Sequence, residues 1–330
     1  MGETFRAMVI RDVDGKPRPG FEELTLADLP DNDVLVEISH SSVNYKDGLA
    51  LTGKGRIARR LPMVAGIDLA GTVVESRDPA WKQGDRVIAN GWGLSETEWG
   101  AYSRFQRLKP GHLTRLPDGF TPAQAMAIGT AGYTAALCVL ALQDFGALDD
   151  KPGEVLVTGA AGGVGSVAVA LLAALGHRVI ASTGRPQEAA FLTGLGAGAL
   201  LDRNELSAAG KPLQTERWSA AVDAVGSHTL ANVLAQTRYG GAVAACGLAQ
   251  GADLPATVMP HILRSVALLG VDSVMAPQGK RVRAWDFLDR HLDRGKLAEL
   301  TVTAPMSALP DLAQQIIAGQ SRGRTVIEIG

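Results

Sequence analysis

The spacing of apolar residues changes character about a third of the way along the chain. Up to about residue 125, apolar positions come in short, alternating runs, and residues 33–38, 69–75 and 86–89 read as strands. Turn formers punctuate these runs densely: Asp14-Gly15, Gly53-Lys-Gly55, Gly84-Asp85, Pro110-Gly111 and Asp118-Gly119. The pattern predicts a compact, barrel-like β domain. Thr121 followed by Pro122 reads as a helix start, with Thr121 as the cap. Beyond it, helical stretches rich in Ala and Leu alternate with buried strands near Val155, Val179, Leu200, 221–225 and 243–246. Such alternation predicts a parallel sheet covered by helices on both faces. Residues 266–271 form a candidate sixth strand, followed by helices near 281–291 and 310–318 and a last strand at 325–329. No internal repeat or low-complexity linker interrupts the pattern.

Composition narrows the class. A chain of 330 residues is long enough for two domains. A hydrophobic content of 46% with 20% charge is that of an ordinary globular protein, and a net charge of -2 offers nothing to nucleic acid. No apolar run reads as a membrane span, and the first residues lack the basic-then-apolar pattern of a signal peptide. Cys138 and Cys246 lie in apolar stretches and read as reduced core thiols, which suits the cytoplasm. The six histidines are scattered singly and neither cysteine has a partner at ligand spacing, so no metal is expected.

One stretch carries chemistry by itself. Glu154-Val-Leu-Val-Thr-Gly-Ala-Ala-Gly-Gly-Val-Gly165 reads as a buried strand, a glycine turn and the start of a helix at 166–175. Gly159 permits the tight turn, Gly162 lets the backbone approach a pyrophosphate, and Gly165 lets helix and strand pack closely. The amides of Ala160, Ala161, Gly162, Gly163, Val164 and Gly165 are thus candidates to cradle a dinucleotide, helped by the helix dipole. In NAD enzymes the next strand usually ends in a carboxylate that accepts from the ribose 2′-hydroxyl. Here the run 178–182 ends in Ser182-Thr183-Gly184-Arg185. An arginine and two hydroxyls suit a 2′-phosphate, so the cofactor read from the sequence is NADPH. Arg203 is either a second cation for that phosphate or a solvated charge.

The β domain adds a second cluster. Ser41-Ser-Val-Asn-Tyr-Lys-Asp47 follows the first predicted strand. Tyr45 is a candidate donor to a developing enolate oxygen, with Asn44 as a second neutral donor. Asp47 either orients its neighbours or caps the helix that follows. The run Lys54-Gly-Arg56-Ile-Ala-Arg59-Arg60 is either a clamp for the phosphates of a large acyl carrier or a solvated face.

Together with Leu51-Thr-Gly-Lys-Gly55, Gly66-Ile-Asp-Leu-Ala-Gly71, Gly91-Trp-Gly93, Gly129-Thr-Ala-Gly132, Cys246-Gly-Leu-Ala249 and Gly270-Val-Asp-Ser-Val-Met275, the cluster Asn44–Asp47 resembles one family. It is the zinc-independent, quinone-oxidoreductase-like branch of the medium-chain dehydrogenase/reductase superfamily, and within it the acrylyl-CoA reductase group. Zinc-dependent alcohol dehydrogenases of the superfamily have a cysteine near Asn44–Asp47, Gly-His-Glu where this chain has Gly66-Ile67-Asp68, and a four-cysteine lobe. The resemblance therefore implies no metal.

It also implies an α/β architecture: a GroES-like β-barrel catalytic domain over 1–125, a Rossmann NADP-binding domain with a doubly wound parallel sheet over 126–272, and a return to the first domain over 273–330. Tyr45 and Gly162-Gly163 would line the nicotinamide. Ser182, Thr183, Gly184 and Arg203 would hold the 2′-phosphate end, and Leu248, Ile262, Ser273 and Arg324 would complete the cofactor cleft. Leu248 and Ile262 read equally as core, and Arg324 as a paired residue before the last strand. The implied reaction is NADPH-dependent reduction of acryloyl-CoA to propanoyl-CoA, with Tyr45, Asp47 or water as the proton donor. Two other readings stand beside it: reduction of quinones or free enones and enals, and a non-catalytic NADPH-binding sensor or adaptor. By analogy, the 266–271 strand pairs with its copy in a homodimer.

Overall fold

The computed structural model describes residues 3–149 and 153–329. The chain forms two units, Met1–Thr130 with Ser273–Val282 and Thr301–Gly330, and Ala131–Asp272 with Arg283–Leu300. The segment 283–300 groups with the second unit. Arg283 forms a two-pronged pair with Asp144 at 2.6 Å, and Lys296 Nζ donates to the Leu195 carbonyl at 2.8 Å.

In the second unit, six strands lie in the order Ala197–Asp202, Arg178–Thr183, Glu154–Val157, Trp218–Asp223, Thr237–Ala245, Ala267–Gly270. All neighbours are parallel. In chain order this is 3-2-1-4-5-6, the doubly wound arrangement. Its central strands hold Val155, Leu156, Val157, Ala220, Ala221 and Val222, all fully buried, as strands covered on both faces must be. Leu156, Ile180, Leu201, Trp218, Val233, Leu234 and Val243 form the core of one layer.

The first unit is largely antiparallel. A seven-stranded sheet runs Thr301–Pro305, Arg324–Glu328, Val34–Val43, Asp68–Ser76, Arg86–Asn90, Thr114–Arg115, with Phe105–Leu108 also paired to Val34–Val43. A three-stranded sheet runs Lys16–Thr25, Thr4–Val13, Met63–Val64. Asp14 (φ 54°) and Gly15 (φ 74°) turn the Thr4–Val13 and Lys16–Thr25 strands into a hairpin, as two consecutive left-handed residues do. The sequence marks this turn but hides its second strand, which is mostly exposed and contains Pro17 and Pro19. A strand carrying prolines survives at a sheet edge, where the missing amides cost no ladder bonds.

Thr121 and Gln124 bond reciprocally at the start of the helix Pro122–Phe145 (3.0 and 3.2 Å), the geometry of a capping box. By length and composition this helix is apolar enough to cross a membrane, which corrects the sequence reading. Its most apolar window is 89% buried inside the protein, so its apolarity serves the core. The helix breaks at Gly129, whose backbone (φ 51°, ψ -162°) is not helical.

Candidate functional site

The nucleotide turn follows the first strand of the parallel sheet. Gly159 adopts φ 59°, and its carbonyl accepts from the Gly162 amide at 2.9 Å. A Cβ at Gly165 would stand 2.3 Å from the Gly159 oxygen, so only glycine allows the helix Gly163–Ala174 to start this close to the strand. Its cap residue, Gly162, has no side chain to satisfy the first amides. An anion is the natural partner for such amides. Beside the turn, Thr158 Oγ1 donates to Asp223 Oδ1 at 2.7 Å, while Asp223 Oδ2 accepts from Gly226 N at 2.8 Å. This carboxylate, its pKa raised by burial, ties together the ends of Glu154–Val157 and Trp218–Asp223. That is the switch point of the sheet. Asp223 was missed in the sequence. An acid ending an otherwise apolar strand was the available signal.

At the end of the second strand, three of the predicted residues meet. The Arg185 amide donates to Thr183 Oγ1 (3.1 Å), and Arg185 Nη2 reaches across the turn to the Ala161 carbonyl (3.2 Å). The Arg203 amide donates to the Thr183 carbonyl (3.0 Å), and its guanidinium lies against Gly184, where a Cβ would meet Nε at 2.3 Å. Ser182 is buried at 2% exposure, which leaves Thr183, Arg185 and Arg203 as the groups presented there. Two cations, a hydroxyl and no carboxylate at 182–185 suit a 2′-phosphate. Leu248 is exposed just beyond Thr237–Ala245, and Ile262 is 72% exposed on the separate helix Met259–Arg264.

Tyr45, Ser273 and Arg324 belong to the first unit. Tyr45 is the first residue of the helix Tyr45–Thr52 and is 45% exposed. Asn44 and Asp47 form the capping box at its start. Asp47 is fully buried and accepts from Asn44 N (2.9 Å), Asn44 Nδ2 (3.2 Å) and Ile67 N (3.1 Å). Burial and the nearby Asp68 push its pKa up to about 7, against the opposing effect of those bonds. Asp68, also fully buried, accepts from Asn44 Nδ2 (2.8 Å), Asn90 Nδ2 (2.6 Å), Ser42 Oγ (2.5 Å) and both the amide and hydroxyl of Thr130 (2.8 and 2.5 Å).

Arg324, 3% exposed, donates to the carbonyls of Ala127 (2.9 Å) and Val43 (3.3 Å), to Asn44 Oδ1 (3.2 Å) and to Ser42 Oγ (3.0 Å). Burial holds its pKa below the ordinary value. The network thus commits Arg324 to the hold on the tyrosine helix. The helix break at Gly129 belongs to it too: a Cβ there would stand 2.5 Å from Arg324 Nη2 and 2.8 Å from Asp68 Oδ2. Around Asp47 and Asp68 the chain gathers two carboxylates, an amide, hydroxyls and a guanidinium. That donor set, without thiolate or imidazole, does not suit zinc. Ser42, Asp68 and Thr130 lie in motifs named from the sequence but carry no assigned role there, although an aspartate inside the apolar run Ile67-Asp68-Leu69-Ala70 signals one.

Lys46 pairs with Glu96, tying the tyrosine helix to the segment 91–98. In that segment Gly91, Trp92, Gly93 and Ser95 all have positive φ. Trp92 is held between the stacked His112 ring (5.2 Å) and the Arg281 guanidinium (4.1 Å). Arg281 is itself buried and donates to the carbonyls of Asn90, Ser273, Val274 and Ala276. Ser273 therefore serves through its carbonyl as an anchor for this loop. Of the basic run, Arg56 and Arg59 line a cavity, while Lys54 and Arg60 do not.

Two family models match the chain: alcohol dehydrogenase GroES-like domain over residues 30–137, and zinc-binding dehydrogenase over 163–290. An acrylyl-CoA reductase from Ruegeria pomeroyi is 49% identical over 328 residues, covering 98% of this chain and 99% of its own. The crystal structure of an oxidoreductase from Salmonella enterica, in complex with NADP, matches with TM-score 0.96 and 47% identity, covering 98% of this chain and all of that one. A putative quinone oxidoreductase from Bacillus subtilis is 40% identical over 93% of both chains. Its crystal structure, with NAD bound, matches with TM-score 0.94 over 99% of this chain and all of that one.

Proposed function

The chain belongs to the acrylyl-CoA reductase group of the medium-chain dehydrogenase/reductase superfamily, and on that premise we propose that it reduces the carbon–carbon double bond of acryloyl-CoA to propanoyl-CoA with NADPH. The observation that carries this reading is 49% identity along nearly the whole of both chains to a protein of that name. The nucleotide site fits the phosphorylated coenzyme. Gly159–Gly165 offers the amides for a pyrophosphate, and Thr183, Arg185 and Arg203 offer the cationic end for a 2′-phosphate. When bound, NADPH supplies the hydride that adds to the β-carbon of the conjugated thioester. The chain supplies orientation and electrostatics.

Tyr45 donates to the enolate oxygen as charge develops there. Asn44 has both its amide hydrogens and its carbonyl engaged by Ser42, Asp68, Asp47 and Arg324, so it acts by holding Tyr45 in place. Asp47 acts in the same way, being sealed from solvent and bonded to the helix start. With Asp47 withdrawn, Tyr45 or a water molecule protonates the α-carbon. The relative from Bacillus subtilis supports a second reading, reduction of quinones or free enones. NADPH oxidation measured with acryloyl-CoA, a free acrylate ester and a simple quinone separates the two. The first reading requires the thioester to be preferred in kcat/KM, and a preferred quinone would replace it with the second. We further infer a cytoplasmic homodimer that joins through the edge strand Ala267–Gly270.

A further inference from the structure

The loop that follows the tyrosine helix lines an open cavity of about 590 Å3 within the first unit. Its apolar wall comes from Ile10, Ala50, Ile57 and Leu61, and its polar groups are Asp12, Arg56 and Arg59. The volume lies in the range of pockets that enclose small ligands. The charges around it are unbalanced. Arg59 stands 3.9 Å from Glu96, whereas among the described residues the Arg56 guanidinium makes no ion pair or hydrogen bond. Lys54 and Arg60 add two further positive charges to the same loop. A solvated basic face needs neither a cavity nor an apolar wall. A phosphorylated ligand with a flat ring needs both.

We propose that this cavity seats the nucleotide end of the acyl carrier, the adenosine 3′-phosphate 5′-diphosphate of coenzyme A. This inference rests on the reading of the substrate as an acyl-CoA. Arg56 and Arg59 take the phosphates as charge-assisted pairs. The purine lies on the half-buried Ile57 and Leu61, which pack on the core residue Ile10. Asp12, whose Oδ1 accepts the Gly15 amide at 2.7 Å, keeps its second oxygen for the amino group of the adenine. The placement suits a long substrate, because Tyr45 begins and the cationic loop ends one helix of eight residues, about 12 Å in length. The reacting thioester and the phosphates would thus be held at opposite ends of one element, as an extended pantetheine arm requires. The cavity would make the enzyme select CoA thioesters over short ones through KM, with the chemical step little affected.

The experiment compares acryloyl-CoA with acryloyl-pantetheine in the wild type, in Arg56→Gln and in Arg56→Gln/Arg59→Gln, with thermal unfolding as the control for folding. In the wild type, acryloyl-CoA has the lower KM. In the variants that preference shrinks by roughly ten- to a hundredfold, the loss expected for charged hydrogen bonds, and falls on KM for the CoA ester. Adenosine 3′,5′-bisphosphate competes with acryloyl-CoA in the wild type and loses potency in the variants. A second pair of variants, Ile57→Trp and Asp12→Asn, probes the wall and the acid without touching the cations, and each raises KM for the CoA ester alone. An unchanged preference in the arginine variants, or a bisphosphate that inhibits all forms equally, overturns the subsite and leaves the reaction standing. If the wild type oxidises NADPH with neither thioester, the reading of the reaction falls first and the subsite falls with it.

Discussion

At the scale of single residues, the first unit is organised around one carboxyl group. Asp47 combines complete burial with three accepted hydrogen bonds, and its pKa rises from 3.8 to about 7 because desolvation and Asp68 outweigh those bonds. A carboxyl group whose native pKa exceeds its unfolded value binds its proton more tightly when folded. Its stabilising effect is complete below the unfolded value and is lost as pH rises through the native one. The wild type should therefore lose stability from this group between about pH 4 and about pH 7. Urea unfolding at both ends of that window should show Asp47→Asn with a flatter profile, the difference approaching about 4 kcal/mol at most. Identical slopes in the two proteins would mean that Asp47 titrates normally. Tyr45, which lies inside this box between Asn44 and Asp47, is the exposed group that the network positions. Tyr45→Phe should lower kcat with acryloyl-CoA on the order of a hundredfold, the scale for losing a donor to a developing oxyanion. Unaltered turnover would leave the hydroxyl without a chemical role.

Elements record which parts of this fold were readable from the chain. The parallel sheet was readable because each strand is a short apolar run between helices, and the glycine turn because its geometry admits no other residue at Gly165. The Lys16–Thr25 strand was not, since an exposed edge strand with two prolines carries no apolar alternation. Nor was the break at Gly129, where a single glycine inside a long apolar helix looks incidental. The reason for it lies far away in sequence, in Asp68 and Arg324. Gly129→Ala meets both a left-handed backbone and those side chains, so it should destabilise the protein by about 3 kcal/mol or more, read as a lowered urea midpoint. At the end of the second strand, legibility came from an absence, the missing carboxylate at 182–185, and the structure adds the contact of Arg185 with Ala161. Arg185→Ala should weaken NADPH binding by roughly 1.5–3 kcal/mol while NADH binding changes little, both measured by fluorescence titration. Equal losses for the two coenzymes would assign Arg185 to the turn itself and not to the 2′-phosphate.

For the whole molecule, the remaining question is what covers the far edge of the parallel sheet. Ala267–Gly270 pairs on one side with Thr237–Ala245 and, among the described residues, with no strand on the other. Natural sheets rarely leave such an edge bare. Around it, Val258 (64%), Ile262 (72%) and Leu263 (57%) are exposed on and beside the short helix Met259–Arg264, with Leu268 on the strand itself. In the homodimer proposed above, this strand pairs with its own copy and the exposed aliphatic side chains are covered. Ile262 sharpens the test, because the family resemblance places it at the cofactor while its exposure places it among these apolar residues. Ile262→Lys combined with Leu268→Lys should convert a dimer to a monomer in sedimentation at micromolar concentration. NADPH affinity in the same variant then separates the two roles. Monomers that keep wild-type affinity assign Ile262 to association. A persistent dimer with weakened NADPH binding assigns it to the cofactor and moves the interface elsewhere.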